Sequence, residues 1–596
     1  MAHSRPTLYS LERIPFIMIF QERPINQESL KELVNVGTHP VLARLFASRG
    51  VKHSSELALE LKHLIPPQQL MNCLVSAEYL ADALQAKRAL LIVADYDCDG
   101  ATACAVGIRG LRELGKSLGV QVDFLVPNRF TMGYGLTPEV VDLAMSRLPR
   151  PEILITVDNG IASIAGVERA KELGVEVLVT DHHLPGDTLP EAACIVNPNQ
   201  GECTFPSKAL AGVGVMFYVL LALRAELRKR GVFTQENQPR LENLLDLVAL
   251  GTVADVAGLD RNNRILVSAG IRRIRQGFCQ PGVRALFDIA KRQTNTANTF
   301  DLGFGIGPRL NAAGRLADMS IGIRCLLSDN EEEAQALATE LDRMNRERRV
   351  IEGNMQEKAL ENLADINVQV SHGICLKDES WHQGVIGILA SRLKDRYHRP
   401  TLIFAPGDDS VSDAVPVLKG SGRSIQGFNL RDALDWISKK KPELILKFGG
   451  HAMAAGLTIP AEAFEEFSQA FEEIAALWLD EGLLNRRLIH DGPLNPEFME
   501  PGLAQILTDE VWGQGFPQPV FMGDFEILKQ SILKEKHLKL ELRPILGDEY
   551  RGKPIQAIWF GHSETLPNHV GLAYRMVVDH FLGYPRTQLH IEAASV

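Results

Sequence analysis

Ala89-Leu-Leu-Ile-Val-Ala-Asp95-Tyr-Asp97-Cys-Asp99-Gly100-Ala-Thr-Ala-Cys-Ala-Val-Gly-Ile-Arg-Gly-Leu-Arg-Glu-Leu114 is the stretch on which the reading of this chain turns. Its first six residues are an unbroken apolar run, which suits a strand buried on both faces. Asp95, Asp97 and Asp99 follow at alternate positions. Gly100 and a series of small residues can then open a helix packed closely on a sheet. Three carboxylates crowded at a strand's C-terminal end repel one another unless a cation neutralises them. Oxygen ligands of this hardness suit Mg²⁺ or Mn²⁺. A helix N-cap would explain one Asp but not three.

The chain has 596 residues, room for several domains. A net charge of −11 excludes a polycation, so any nucleic-acid contact must come from local basic patches. The eight cysteines (73, 98, 104, 194, 203, 279, 325, 375) form no Cys-x-x-Cys pair. That excludes a zinc ribbon and a disulfide framework and fits a reducing cytoplasm. The apolar run at 14–20 is too short and too far in for a secretion signal. The longest uncharged run, Ala209–Leu223, falls short of a membrane span and reads as a buried helix.

Outward from 89–114 the pattern alternates. Strands are expected at 121–126, 153–157, 175–180 and 194–196, with helices over 102–114, 139–145 and 162–173. Residues 51–88 read as helical, broken at Pro66-Pro67. Apolar, unalternating strands joined by helices imply a parallel sheet covered on both faces, whose ligands sit beyond the strand C-termini. Asp158, His182 and His183 fall there too, and Asp255 follows a helix over 241–250. Between 261 and 292, Arg261, Arg264, Arg272, Arg273, Arg275, Arg284, Lys291 and Arg292 face only Asp288; a solvated helix face and a nucleic-acid face both account for them. A long, mostly polar helix is expected over 330–363. A second α/β segment follows, with glycine-rich turns at 420–424 and 449–456 and a helix over 461–485. After 491 short strands at 519–528, 531–534, 538–542 and 555–560 suggest a small barrel.

Four motifs in order, Asp95-Tyr-Asp-Cys-Asp-Gly100, Val157-Asp-Asn-Gly160, Asp181-His-His183 and Thr252-Val-Ala-Asp-Val256, resemble those of the DHH phosphoesterases. Gly449-Gly-His-Ala-Met-Ala-Ala-Gly456 extends the resemblance into the associated second domain. Pro308–Arg315, His382–Gly387 and Trp512–Pro517 place it closest to the bacterial single-strand-specific 5′→3′ exonucleases. The implied architecture is α/β: a parallel-sheet DHH domain joined by a long helix to a smaller DHHA1-like α/β domain, with a C-terminal OB-like barrel. The corresponding divisions are 1–50 (extension), 51–329 (catalytic), 330–365 (connecting helix), 366–460 (DHHA1-like) and 461–596 (helix plus barrel).

The resemblance also implies roles. Two Mn²⁺ or Mg²⁺ ions are expected, Asp158 bridging them, Asp97 holding the first, and Asp99, His182 and Asp255 the second. Asp95 supports the site or binds water, and His183 contacts the scissile phosphate or stabilises its developing charge. Members of the superfamily commonly carry a His where this chain has Val93, so the first ion is expected to be weakly held. Substrate is expected at Arg129, Arg309, Asn311, Arg315, Ser421, Gly422, Arg423, Gly449, Gly450 and His451. The implied activity is two-metal hydrolysis of single-stranded DNA to 5′-mononucleotides in repair and recombination, with a single-strand-binding protein and a helicase as partners and no membrane. The alternatives are a short-oligonucleotide nuclease or pAp phosphatase, a pyrophosphatase, or an inactive DNA-binding scaffold.

Overall fold

Alternation of side chains along a strand lets one apolar run serve two cores. In the computed structural model Leu90, Ile92 and Ala94 join one hydrophobic cluster, whereas Leu91 and Val93 join another on the opposite face. The structure describes residues 18–364, 371–407, 416–547, 550–579 and 583–595. The first 17 residues of the expected extension, with the start of the 14–20 run, lie outside them, as does the expected boundary at 365/366.

The chain divides into two compact units, one of residues 22–345 with 490–596 and one containing 346–489. In the first, five parallel strands stand in the order Gln121–Leu125, Ala89–Ala94, Ile153–Val157, Glu176–Thr180, Cys194–Val196. Helices Pro138–Met145 and Ile164–Glu172 contribute to the cluster on one face. Helices Cys73–Gln85, Cys98–Leu114 and Gly212–Lys229 contribute to the other. The uncharged run read as a buried helix lies in Gly212–Lys229, and no described helix is long and apolar enough to cross a membrane. Residues 54–69 are three short 3₁₀ turns rather than the expected helix, because Pro66 and Pro67 and the polar spacing leave too few turns to propagate one.

The barrel belongs to this same unit. Strands Phe521–Leu533, His537–Leu546, Ile555–Trp559, Arg586–Ser595 and His569–Asp579 close on themselves, with one parallel pair between Ile555–Trp559 and Arg586–Ser595. The two stretches read as separate strands at 519–534 are one strand with an irregularity between Ile527 and Lys529, and the last two strands went unread. Barrel residues share one hydrophobic cluster with the catalytic helices. Phe46 stacks on Trp512 and Phe516, and Arg264 lies 3.9 Å over Phe516. The Arg49 guanidinium meets Asp491 bidentately, at 2.8 and 2.9 Å, with both side chains buried.

In the second unit a mixed five-stranded sheet runs Lys447–Gly450, Ala454–Pro460, Val417–Arg423, Thr401–Pro406, Ile374–Lys377. The glycine-rich 420–424 segment is therefore mostly strand rather than turn. Gly420 and Gly422 leave room for Phe404 and for Leu402 and Leu430. Likewise 447–450 and 454–460 are paired strands, and the turn is confined to the residues between. Helix Phe464–Trp478, grouped from sequence with the barrel, buries Phe467 and Phe471 in this unit's core. The long helix is Glu331–Ala364, about 50 Å of continuous rise.

Removing one partner of a buried charge pair strands the other. Asp491→Ala should therefore destabilise the unit of residues 22–345 and 490–596 by about 3–5 kcal/mol, measured by denaturant unfolding. Arg49→Met combined with Asp491→Leu should recover only part of that loss, because Arg23 and Val520 N also lose the carboxylate.

Candidate metal centre

Parallel pairing brings the motifs to one sheet edge. Asp95 N donates to Val157 O (3.3 Å), Asp158 N to Thr180 O (3.1 Å) and Asp181 N to Val196 O (3.1 Å), so each acidic segment begins where its strand ends. Asp97 caps the next helix, its Oδ1 accepting from Gly100 N at 3.0 Å. The cap explanation thus accounts for Asp97 alone. Asp97 also stands with Asp95 and Asp158, the candidate ligand atoms of the three lying within 4.8 Å of one another.

Asp99, in the first turn of that helix, accepts from Gly212 N (2.6 Å) and Val213 N (3.0 Å). A helix N-terminus presents such free N–H groups to an anion. Asp158 adopts the left-handed conformation at φ 61°, which Asp tolerates. Asn159 Nδ2 pins that turn to Val93 O and Val157 O. Val93 itself is fully buried in the strand. Asp255 closes helix Leu245–Ala254, and Val256 after it holds φ 60°, where helices usually carry glycine. A β-branched residue there is strained, and it keeps its place through Val256 N–Val253 O and Ala257 N–Thr252 O bonds.

His182 Nε2 lies 3.0 Å from Asp158 Oδ1 and 3.9 Å from both Asp99 Oδ2 and Asp255 Oδ2. Asp181 takes no part in this cluster. Its oxygens accept from Ile161 N, His182 N and His183 N, and Oδ1 meets His183 Nδ1 at 2.7 Å. It is therefore an orienting group for the second histidine.

Burial, then the charge of Asp97, pushes the Asp99 carboxyl up to about 7. Burial and neighbouring carboxylates push Asp95, Asp158 and Asp255 well above the ordinary range. Burial opposes charge on His183, yet the Asp181 hydrogen bond and charge, with Asp95 and Asp255, hold it up to about 9. A buried set of mutually repelling carboxylates is what a divalent cation relieves. Asp95 Oδ1 and Asp158 Oδ1 are buried without a well-aligned hydrogen-bond donor, His182 Nε2 standing 3.0 Å from the latter, which leaves their lone pairs available to a cation. A Cβ on Gly212 would lie 2.7 Å from Asp158 Oδ1, and one on Gly251 2.8 Å from Asp99 Oδ1. Two glycines thus leave the carboxylates their room. The donor set, chiefly carboxylate oxygen with one imidazole, fits Mn²⁺ or Mg²⁺.

The other residues singled out from sequence divide into three sets. Arg129 lies 4.5 Å over the Tyr96 ring and donates to Gly314 O, and Arg315 acts on the same Tyr96 hydroxyl electrostatically. Asn311 Oδ1 accepts from Cys98 N at 2.8 Å, and Arg309, buried, pairs with Asp342 at 2.9 Å and donates to Gly305 O. The structure gives these two side chains internal partners rather than an open face. Ser421, Gly422 and Arg423 lie on the Val417–Arg423 strand of the second unit. Arg423 Nη1 donates to Ser421 Oγ and Gly422 O beside Gly387, and desolvation lowers its pKa. Gly449 and Gly450 end an exposed strand of that unit, and His451 N bonds Ala454 O. Of the basic run, Arg261 donates to Ser55 O, Arg273 to Asn243 and Arg275 to Ala297 O, so much of it ties loops to helices.

Tyr134 escaped the sequence reading. Its hydroxyl donates to Asp158 O at 3.2 Å and lies 3.3 Å from His183 Nε2, and its ring meets His183 and Tyr96 edge-on. The signal was its setting, Gly133-Tyr-Gly135, in a polar loop after a sheet strand.

The description "DHH family, N-terminal domain" matches residues 89–252, "DHHA1 domain" 365–477 and "RecJ OB domain" 490–593. A single-stranded-DNA-specific exonuclease RecJ of Salmonella typhimurium is 47% identical, over 96% of this chain and 99% of its own length. A crystal structure of RecJ in complex with Mn²⁺ from Thermus thermophilus superposes with a TM-score of 0.80 at 27% identity, covering 97% of this chain and 80% of that one. Its Mg²⁺ complex gives 0.74 at 26% identity, covering 97% and 78%. With identity of 47% sustained over nearly the full length of both proteins, the chain belongs to the RecJ family.

Proposed function

We propose that this chain is a metal-dependent exodeoxyribonuclease that hydrolyses single-stranded DNA from its 5′ end to 5′-mononucleotides, in repair and recombination. The observation that carries the reading is the convergence of Asp95, Asp97, Asp99, Asp158, His182 and Asp255 at one sheet edge, with buried oxygens left without a well-aligned donor. In this reading Asp97 and Asp158 hold one Mn²⁺ or Mg²⁺ ion, and Asp99, Asp158, His182 and Asp255 the other. Bound there, such ions supply charge neutralisation and a water acidic enough to attack phosphorus near neutral pH. Asp95 supports the cluster. Asp181 fixes the His183 ring so that its far nitrogen faces the scissile phosphate. Arg129 and Arg315 flank the site, and Ser421 and Arg423 of the second unit offer a hydroxyl and a guanidinium suited to a 5′ phosphate. The barrel grips the strand: Lys529, Lys534, Lys536 and Lys539 are exposed on Phe521–Leu533, His537–Leu546 and the turn between. A cytoplasmic setting and a single-strand-binding protein and helicase as partners belong to the same proposal; the eight free cysteines support the former.

Strands labelled at either end, incubated with Mn²⁺ or Mg²⁺, test the reading: label at the 5′ end should be released as mononucleotide first. Release from the 3′ end, or activity confined to dinucleotides, would favour the short-oligonucleotide alternative.

Mn²⁺ at a hundredfold excess over its Kd should stabilise the protein by about 2.7 kcal/mol, read as a rise in Tm. Asp158→Ala should abolish both the rise and hydrolysis at every metal concentration. Asp97→Ala should keep part of the rise and be partly rescued by high Mn²⁺. Arg423→Ala should lose about ten- to a hundredfold more rate on a 5′-phosphorylated strand than on a 5′-hydroxyl one, since a charge-assisted contact is worth about 1.5–3 kcal/mol.

A further inference from the structure

Two large aromatic side chains stand in solvent where the helix structure is irregular. Phe300 is 50% exposed and Phe304 68% exposed, yet their rings lie 4.9 Å apart at 27° to one another. They sit at the start of a π-helical segment, Asp301–Ile306, that runs directly into helix Gly307–Leu316. Such wide turns recur at functional sites. Exposed aromatic faces of this size are not needed for the fold; buried neighbours Leu302 and Ile306 already anchor the segment.

The segment is tied to the metal centre at both ends. A Cβ on Gly303 would lie 3.4 Å from Val253 Cγ1, and one on Gly307 3.0 Å from Ala254 Cβ, so the π turn packs on the last turn of the helix that presents Asp255. Val256, the strained residue after Asp255, is itself 64% exposed. Farther along, Asn311 holds the N–H of Cys98 between Asp97 and Asp99. Phe304 precedes Asn311 by seven residues on the continuous helical path Asp301–Leu316, so the aromatic pair and the support of the Asp95–Asp99 turn share one element.

One guanidinium lies against the pair. Lys291 and Arg292 are exposed. The Arg292 guanidinium lies 5.8 Å over the Phe300 ring and pairs with Asp301 at 3.4 Å. These two cations end the basic run of 261–292, whose other members mostly hold loops. Stacked, exposed aromatic rings with a guanidinium over one of them match one ligand chemistry: unpaired nucleobases on a phosphate backbone.

We infer that Phe300 and Phe304 form a base-stacking platform for the single strand several nucleotides from the scissile phosphate, with Lys291 and Arg292 meeting its backbone. The inference rests on the nuclease reading above and adds to it a binding site outside the metal centre. The platform favours a strand whose bases are unpaired, because a base within a duplex has both faces covered by its neighbours.

The test compares KM for a 5′-phosphorylated strand of about 40 nucleotides with KM for a dinucleotide, in Mn²⁺. A dinucleotide offers at most one base beyond the scissile phosphate, so it should gain least from a platform several nucleotides away. Phe304→Ala and Phe300→Ala should each raise the long-strand KM roughly five- to a hundredfold, the range for loss of one stacked base, with the dinucleotide KM changing far less. Phe304→Trp should behave as wild type and Phe304→Leu as the Ala variant. The Trp and Leu pair keeps the side chain's bulk, so it decides between stacking and apolar contact even if an Ala variant folds poorly. An unchanged long-strand KM, an equal rise on both substrates, or a Leu variant as good as Trp would overturn the platform. Failure of the wild-type protein to digest either substrate would instead overturn the nuclease reading itself.

Discussion

Mutual repulsion among buried carboxylates is the constraint around which this molecule is built. Asp95, Asp99, Asp158 and Asp255 are each driven toward the neutral form by burial and by neighbouring carboxylates. A fold tolerates that only with a rigid frame and a compensating cation. The frame is visible: a parallel ladder passing from strand to strand, two N–H groups of helix Gly212–Lys229 on Asp99, and a strained Val256 that fixes Asp255. A divalent cation at this position would relieve the repulsion that burial imposes on these carboxylates.

Much of this was legible in the sequence because the signals were dense and local. Unalternating apolar runs ending in Asp, spaced by helical segments, read as buried parallel strands, and the residues of the four short motifs do converge at one sheet edge. Asp97 shows that two explanations can hold at once, since it caps a helix and stands in the cluster. What escaped reading was long-range or degenerate. Gly420 and Gly422 look like turn residues but are strand positions emptied to admit Phe404 and Leu402. Arg309 and Asn311, read as substrate groups, also meet Asp342 and Cys98, partners distant in sequence that no local pattern announces. The strands at 569–579 and 586–595 carry polar residues on their open faces, which thins their periodicity. Tyr134 lay in a loop, where pattern carries little information.

The basic run of 261–292 shows how a single feature can divide. Arg264 is buried on Phe516 and serves the seam between barrel and catalytic helices, while Lys291 and Arg292 stand exposed beside an aromatic pair. Charge counting could not separate them, because it ignores which helix face each residue occupies.

The seam held by Arg49 and Asp491 also has a consequence for biosynthesis. The two residues are 442 positions apart, yet each is the other's bidentate partner. At about 5–20 residues per second, a ribosome needs roughly 20–90 seconds to supply the carboxylate after the arginine has emerged. Throughout that interval Phe46 lacks Trp512 and Phe516, and the nascent chain carries an apolar face and an unneutralised guanidinium. The catalytic unit can therefore complete its core only after translation is nearly finished.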